Sequence, residues 1–279
     1  MQKSEDSITC NEIFKFHALE RSDYIMAILK REKVVLVNDL SRQLNVSEET
    51  IRNDLKKLEK EHKLRRVHGG AYLNDGYGNE TPFSVRSKIM CAEKALIAQR
   101  CLPLIRNRDT IFLDSSSTAY NLAKAIFDCG KRLTVITNSL EIARVLATNN
   151  EIRLVLLGGE FQQDSLSFQG DLLQEQLSEY YISTAFISAT GVDLAAGITD
   201  SMQGEARVRK TVVLRAAQYV LLADETKFQQ HGPYVISSFA DVDCLVSDAM
   251  VAKVAPDIYE YMIGAGKTII DAGNYNQYA

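Results

Sequence analysis

VSEETIRNDLKKLEKEHKLRRVHGGAYL, residues 46–73, is the stretch whose reading decides the fold of the first third of the chain. At about 100° per residue, Ile51, Leu55 and Leu58 fall within one sector of a helix. Glu49, Thr50, Arg52, Asn53, Lys56 and Lys57 fan across the opposite side. Ser47 precedes the pattern as an N-cap, and Glu48 and Glu49 lie where the positive end of a helix favours acids. Beyond about Glu61, LRRVHGGAYL alternates around Gly69-Gly70, which predicts a small hairpin.

Upstream, SDYIMAILKRE (22–32) places Ile25, Ile28 and Leu29 at helical spacing, with Ser22 or Asp23 able to cap the start. VNDLSRQLNVS then predicts a short helix with Leu40 and Leu44 inward, Asn45 as a left-handed stop and Val46 packing back. Two helices joined by a turn of about three residues, with a leading helix and a basic hairpin, make a winged helix-turn-helix. On its outward face, Thr50, Arg52 and Asn53 carry groups able to meet base edges, and Lys56 and Lys57 suit phosphates. Arg65, Arg66 and His68 lie on the wing, where backbone contacts are expected. Overall net charge is −4, yet residues 21–73 hold 12 Lys or Arg against 8 Asp or Glu, and the rest hold 20 against 28. The acidic total argues weakly against nucleic acid, and the local basic surplus argues for it. A merely solvated helix face is the bland alternative, weakened by the turn and the basic wing.

NDGYGNETP (74–82) reads as a linker. From Phe83 to Arg106 the pattern is helical until Pro103 perturbs it, with Ile89, Ala92, Leu96 and Ile97 as inward positions. Short apolar runs then alternate with helical segments: TIFLD (110–114), LTVIT (133–137), IRLVLLGG (152–159), TAFISAT (184–190), YVLLAD (219–224), DCLVSD (243–248) and KTIIDA (267–272). Continuous apolar strands separated by helices predict a mainly parallel sheet covered on both faces. Polar punctuation falls just after these strands: Asp114, Ser115, Ser116, Ser117 and Thr118; Thr137 and Asn138; Gly158 and Gly159; Thr190 and Gly191; Asp224 with Lys227. Open α/β sheets bind ligands at the carboxyl ends of their strands. Hydroxyl residues before a helix offer free backbone N–H groups to an anion. Lys227 adds a positive charge, and Asp114, Asn138 and Asp224 can meet hydroxyls. A small phosphorylated polyol fits this set. Each feature alone is more often a helix cap or a turn than a ligand site; their recurrence after successive strands favours the ligand reading.

The five cysteines (10, 91, 101, 129, 244) and four histidines show no metal or redox spacing, so buried reduced thiols, no metal and no cofactor are expected. The longest apolar run, 212–223, is broken by Arg215, and the first residues lack an apolar signal core. A cytoplasmic protein without membrane contact is the expectation.

The run of 46–73, with its VS, TIR, DL, LE and R-VHGGA elements in order, resembles the N-terminal signature of the DeoR family of bacterial transcriptional regulators. LDSSSTAYNLA, TVITNS, LVLLGG, AFISATGVD, GITD, EARVRK and VLLADETKF are similar, again in order, to that family's sensor domain. The resemblance implies a fold related to ribose-5-phosphate isomerase and phosphorylated sugars as ligands. Four positions depart from the family pattern. Asn53 stands where a second Arg is usual, His62 where Gly usually ends the reading helix, Ser116 in a Gly place, and Arg209 in a Lys place beside matching Glu205 and Ala206. Arg209 could still hold a phosphate as a planar fork.

The expected layout is an extension (1–20), a winged helix-turn-helix domain (21–73, its helix-turn-helix about 37–56), a linker (74–82) and an α/β sensor (83–279). The expected function is a repressor of a sugar or polyol catabolism operon, acting on operator DNA as a dimer or tetramer and released by a phosphorylated sugar. A sugar-phosphate isomerase using Asp114, Glu205, Asp224 and Lys227 is one alternative. A DNA-binding protein with a ligand-free structural C-terminal domain is the other.

Overall fold

The computed structural model describes residues 18–73 and 81–273. The chain divides into two compact units, Met1–Gly76 and Tyr77–Ala279. Residues 1–17, and with them most of the expected extension, lie outside the described residues, as does the linker stretch 74–80.

The first unit runs α1 (Ala18–Glu32), β1 (Val34–Leu36), α2 (Val37–Leu44), α3 (Glu48–Lys60), β2 (Arg65–Val67) and β3 (Gly70–Tyr72). Helix α1 starts four residues before the predicted Ser22. Asn45 ends α2 in the left-handed region (φ 50°, ψ 46°), and the Ser41 hydroxyl donates to the Val46 carbonyl at 2.6 Å, closing a three-residue turn into α3. His62 holds φ +57° after α3, in the place a glycine would occupy at lower strain. Strands β2 and β3 form the expected hairpin, and β1, which the periodicity missed, pairs with β3 to make a three-stranded sheet. A three-residue strand is too short to show alternation. The core gathers Ile25 and Leu29 of α1, Leu40 and Leu44 of α2, and Ile51, Leu55 and Leu58 of α3.

In the second unit, α4 (Phe83–Arg86) and α5 (Cys91–Cys101) precede β4 (Thr110–Leu113), α6 (Ser117–Phe127), β5 (Leu133–Thr137), α7 (Leu140–Leu146) and β6 (Ile152–Leu156). A hairpin of β7 (Glu160–Gln162) and β8 (Ser167–Gln169) leads to α8 (Asp171–Leu177) and β9 (Thr184–Ser188). Then come β10 (Gly191–Asp193), β11 (Gly197–Asp200), α9 (Gln203–Val213), β12 (Tyr219–Leu222), β13 (Tyr234–Ser237), β14 (Cys244–Val246), α10 (Val251–Val254), α11 (Pro256–Gly264) and β15 (Thr268–Ile270). Seven strands form one sheet in the order β15-β14-β12-β9-β4-β5-β6, with every pairing parallel. These are the seven apolar runs of the sequence.

Alternation along each strand sends side chains to two cores. Ile111, Leu113, Val135, Phe186, Val220 and Val246 pack with α5, α6 and α7. Phe112, Ile136, Ala185, Ile187, Leu221 and Leu245 pack with residues of α8, α9, α10 and α11. The small antiparallel sheet β10-β11-β13 and the β7-β8 hairpin were not legible as strands, for the reason that hid β1.

One expected helix is corrected. The segment 83–106 is broken, with α4 ending at Arg86 and Met90 in the left-handed region (φ 52°) before α5 restarts. The break resets the helical phase. Ala92 and Leu96 are therefore exposed and Ile89 only half-buried, while Lys94, Ile97, Ala98 and Cys101 face inward. Of the four described cysteines, Cys101 and Cys244 are buried, Cys91 is exposed, and none is paired.

Candidate functional site

Helix α3 begins as the sequence predicts. The Ser47 hydroxyl accepts from the Thr50 N–H at 3.2 Å and lies 2.9 Å from the Thr50 hydroxyl, so both side chains serve the cap. Arg52, Asn53, Lys56 and Lys57 are exposed on one face. Arg52 is drawn back to Glu48 (2.5 Å) and Glu49 (3.6 Å), and the Asn53 amide lies 3.5 Å from Glu49. Such exposed pairs are weak and yield easily to a stronger partner. On the wing, Arg66 donates to Glu59 at 2.7 Å, holding that carboxyl below its usual range; His68 is exposed at the hairpin turn, and Arg65 is half-buried.

Asp54 escaped the sequence reading. It lies on the buried stripe beside Ile51, Leu55 and Leu58, and accepts from Arg21 of α1 at 2.6 Å and 3.1 Å. That bond raises the Arg21 pKa. An acid at i+3 within an apolar stripe was the available signal.

In the second unit, Asp114, Ser115, Ser116, Ser117 and Thr118 are all buried where β4 runs into α6. Ser116 caps α6, its hydroxyl accepting from the Ala119 N–H at 3.0 Å. The N–H groups of Ser117 and Thr118, in the first turn, have no helical carbonyl within reach. Asp114 accepts from the Ser116 N–H and hydroxyl (3.2 Å and 2.5 Å), the Ser188 N–H (3.1 Å) and Arg209 (2.8 Å). Arg209, on α9, also bonds Asp200 at the end of β11 and lies 3.5 Å from Glu205. Burial opposes its charge, but Asp200, Asp114 and Glu205 outweigh burial and hold its pKa well above the ordinary value. Glu205 in turn accepts from Ser115 and, at 2.5 Å, from Ser167. Arg209 is thus the hub of an acidic cluster: one guanidinium faces three carboxylates, and its fork is spent on protein groups.

The remaining predicted positions divide. Thr137 caps the turn to α7 by accepting from the Ser139 N–H at 3.1 Å. Asn138 donates to the Phe168 carbonyl at 3.0 Å, and among the described residues its buried amide oxygen has no partner. The Gly158 N–H donates to Gln176 at 2.9 Å. Gly159 (φ +144°) lies where any Cβ would strike the Gln169 carbonyl, and a Cβ on Gly191 would strike the Gln230 carbonyl. Backbone crowding accounts for both glycines without a ligand. Thr190 lies 3.1 Å from the Ser201 hydroxyl.

Asp224 caps the turn Glu225–Lys227, accepting from the Thr226 N–H at 3.1 Å. Among the described residues the half-buried Lys227 ammonium makes no hydrogen bond. Desolvation lowers its pKa against the pull of Asp224, and Asp200 and Arg209 also act on it. Three further positions join this end of the sheet unannounced: Asp200, Ser167 and the buried Lys94. Asp200 closes an apolar run and could have been noticed, whereas Ser167 and Lys94 carry no sequence signal. A surface depression of about 440 Å³ lined by Arg108, Arg132 and Arg153 shares no residue with the cluster. Among the described residues no group of three or more His, Cys, Asp or Glu side chains is placed to hold a metal ion, and no helix is long and apolar enough to cross a membrane.

Residues 21–76 match the DeoR-like helix-turn-helix domain, and residues 90–249 match the DeoR C-terminal sensor domain. The chain belongs to the DeoR family. Among its relatives, the HTH-type transcriptional regulator YulB of Bacillus subtilis is 38% identical over 82% of this chain and 88% of its own. The transcriptional repressor GlcR of the same organism is 30% identical over 86% and 92%. The glycerol-3-phosphate regulon repressor of Escherichia coli is 26% identical over 82% and 90%. Among solved structures, ribose 5-phosphate isomerase A from Neisseria gonorrhoeae matches 48% of this chain and 52% of its own at TM-score 0.37 and 19% identity. This DeoR-family protein is a DNA-binding transcriptional regulator with a sensor domain.

Proposed function

We propose that this regulator represses a sugar or polyol catabolism operon in the cytoplasm and is released by a phosphorylated sugar or polyol. The observation that carries the effector is Lys227. It is a half-buried cation without a hydrogen-bonded partner among the described residues, on the strand-end side that also holds the first-turn N–H groups of α6. A phosphate meets Lys227 and those N–H groups, and the hydroxyls meet Ser115, Asn138 and the acidic cluster. Asn138 supports this with an unpartnered buried acceptor. Arg209 is a scaffold for the carboxylates in this reading, not a phosphate ligand.

Thr50, Arg52 and Asn53 face base edges, with Lys56, Lys57, Arg65, Arg66 and His68 set against the backbone. Two or four copies bind paired half-sites. In this reading the sugar is bound and not turned over: Asp114, already accepting from the Ser116 N–H and hydroxyl, the Ser188 N–H and Arg209, is filled and cannot serve as a general base.

Fluorescence anisotropy on a selected operator duplex, at fixed salt and across a panel of sugar and polyol phosphates, tests this. At least one compound should weaken DNA binding by about ten-fold, inside the usual coupling range. A panel with no effect on DNA affinity overturns the effector assignment. Turnover of ribose 5-phosphate by the full chain overturns the non-enzymatic reading.

A further inference from the structure

The amino ends of the parallel strands carry a second polar feature, at the other end of the sheet from Asp114 and Thr137. A depression of about 440 Å³ opens there, and its lining includes Arg108, Arg132, Thr134, Glu151 and Arg153. Arg108 lies two residues before β4, Arg132 directly before β5, and Arg153 is the second residue of β6. Along the five residues of β5, about 13 Å separates Leu133 at this end from Thr137 at the other.

The chain before each of these three strands is bonded to its neighbour. The Arg108 N–H donates to the Arg132 carbonyl at 2.6 Å, the Arg132 N–H to the Asn107 side chain at 2.8 Å, and the Leu133 N–H to the Glu151 carbonyl at 3.2 Å. Arg108 is held at φ +73°, a left-handed conformation that glycine adopts at lower cost. All three arginines are exposed. Arg132 bonds Glu151 at 2.6 Å, whereas the Arg108 and Arg153 guanidiniums make no hydrogen bond or ion pair among the described residues. Asp109 is turned back on its own loop, where it accepts from the Arg106 N–H at 2.7 Å. Three guanidiniums thus share one depression with a single carboxylate, although the chain outside residues 21–73 holds 20 Lys or Arg against 28 Asp or Glu. A charge that blocks pairing with another sheet accounts for Arg153, because β6 is an edge strand. It does not account for Arg108 and Arg132, which precede interior strands.

We propose that this depression is a second ligand site of the sensor unit, taking a small molecule that carries two phosphate groups. A guanidinium meets phosphate as a planar fork, and no lysine lines the depression. Strands β4 and β6 flank β5 and lie two strand spacings apart, about 10 Å, so Arg108 and Arg153 approach from opposite sides. One phosphate meets each of them. Arg132, between the two, exchanges its exposed pair with Glu151 for either phosphate, since such pairs are weak. The volume lies within the range of small-molecule sites and exceeds what a single phosphate fills. A nucleoside diphosphate and a sugar bisphosphate share this chemistry. The inference does not rest on the effector reading, because the two sites have no residue in common.

Calorimetry on the full-length protein at constant ionic strength tests it, with adenosine diphosphate, glucose 1,6-bisphosphate and inorganic phosphate as probes. One of the two-phosphate probes should bind at least about ten-fold more tightly than inorganic phosphate, and which one does so separates the nucleotide from the sugar source. Arg108→Gln and Arg153→Gln should each weaken that probe by about ten-fold, the scale of one hydrogen bond to a charged group. Lys227→Gln, at the other end of the sheet, should leave its affinity unchanged. In the wild-type protein, the bound probe should slow hydrogen exchange at residues 106–109 and 150–153, a readout that needs no variant. Equal affinity for all three probes, or affinity that survives both arginine substitutions, overturns the site. Loss of binding in Lys227→Gln alone puts the probe in the effector pocket and overturns it too. So does a result in which the arginine variants bind the probes as wild type but bind DNA more weakly, which makes the patch a nucleic-acid surface. Each of these failures leaves the test of the effector reading, release of DNA by a sugar phosphate, where it was.

Discussion

The reading unit and the sensor unit each hold a guanidinium–carboxylate contact, part-buried in the first and fully buried in the second, and the two are balanced differently. In the reader, Arg21 of α1 meets Asp54 of α3, and the pair staples the two helices together. In the sensor, Arg209 meets Asp114, Asp200 and Glu205 together. The first pair is neutral. The second leaves formal negative charge in a buried place lined with serine hydroxyls, an arrangement that costs stability unless something else uses it. A staple contributes stability, and an unbalanced cluster is a mark of function.

Removing Arg209 should break the comparison most strongly. Arg209→Met leaves three carboxylates buried without their cation, and urea unfolding should show the sensor destabilised by about 4 kcal/mol. Arg209→Lys should recover part of this, because an ammonium cannot span acceptors that the planar fork spans.

Next comes a pH window. The folded pKa of Lys94, about 8, lies below the ordinary 10.5, so the unfolded chain holds more protons between those values. Stability then rises with pH from about 8 to 10.5 on this group's account. The difference between wild type and Lys94→Met should change across that window by at most about 3 kcal/mol. A parallel pair of stability curves would show that Lys94 is not desolvated as drawn.

Asp54→Ala should cost about 2 kcal/mol by removing the carboxylate that Arg21 meets at 2.6 Å. The loss belongs to the reader alone, so calorimetric affinity for a sugar phosphate should not move. Asn53→Arg should redirect preference at one base pair from adenine toward guanine by about 1.5 kcal/mol in a selection experiment. Its salt slope should change by no more than about one unit. The smallest effect is expected from Glu48→Gln, which frees Arg52 from an exposed pair. DNA affinity should rise with less than about 1 kcal/mol at stake, and folding stability should hardly change.

Much of the architecture was legible because it is local. All seven strands of the parallel sheet stand in the sequence as apolar runs, since a strand buried on both faces has no polar alternation to confuse it. The α2 turn was legible at Asn45 and the start of α3 at Ser47, where single residue types meet single backbone needs. The α5 face was misread because a helix is a phase, and the break at Met90 reset that phase without a Gly or Pro to announce it. Six short strands, β1, β7, β8, β10, β11 and β13, carried too few residues to show a period.

The candidate site divides along the same line. The sequence by itself determined the family, the order of elements and the strand ends where polar residues gather, because neighbours in the chain settle those things. Only the tertiary structure decided what those residues hold. Asp114 meets Arg209 across 95 positions, Ser115 meets Glu205 across 90, and Lys94 reaches the neighbourhood of Asp224 from a different helix. Arg209 reads in the sequence as a candidate phosphate ligand and is in the fold the anchor of three acids. A guanidinium bonds whatever acceptors the fold brings to it, and no local pattern encodes a partner that far along the chain.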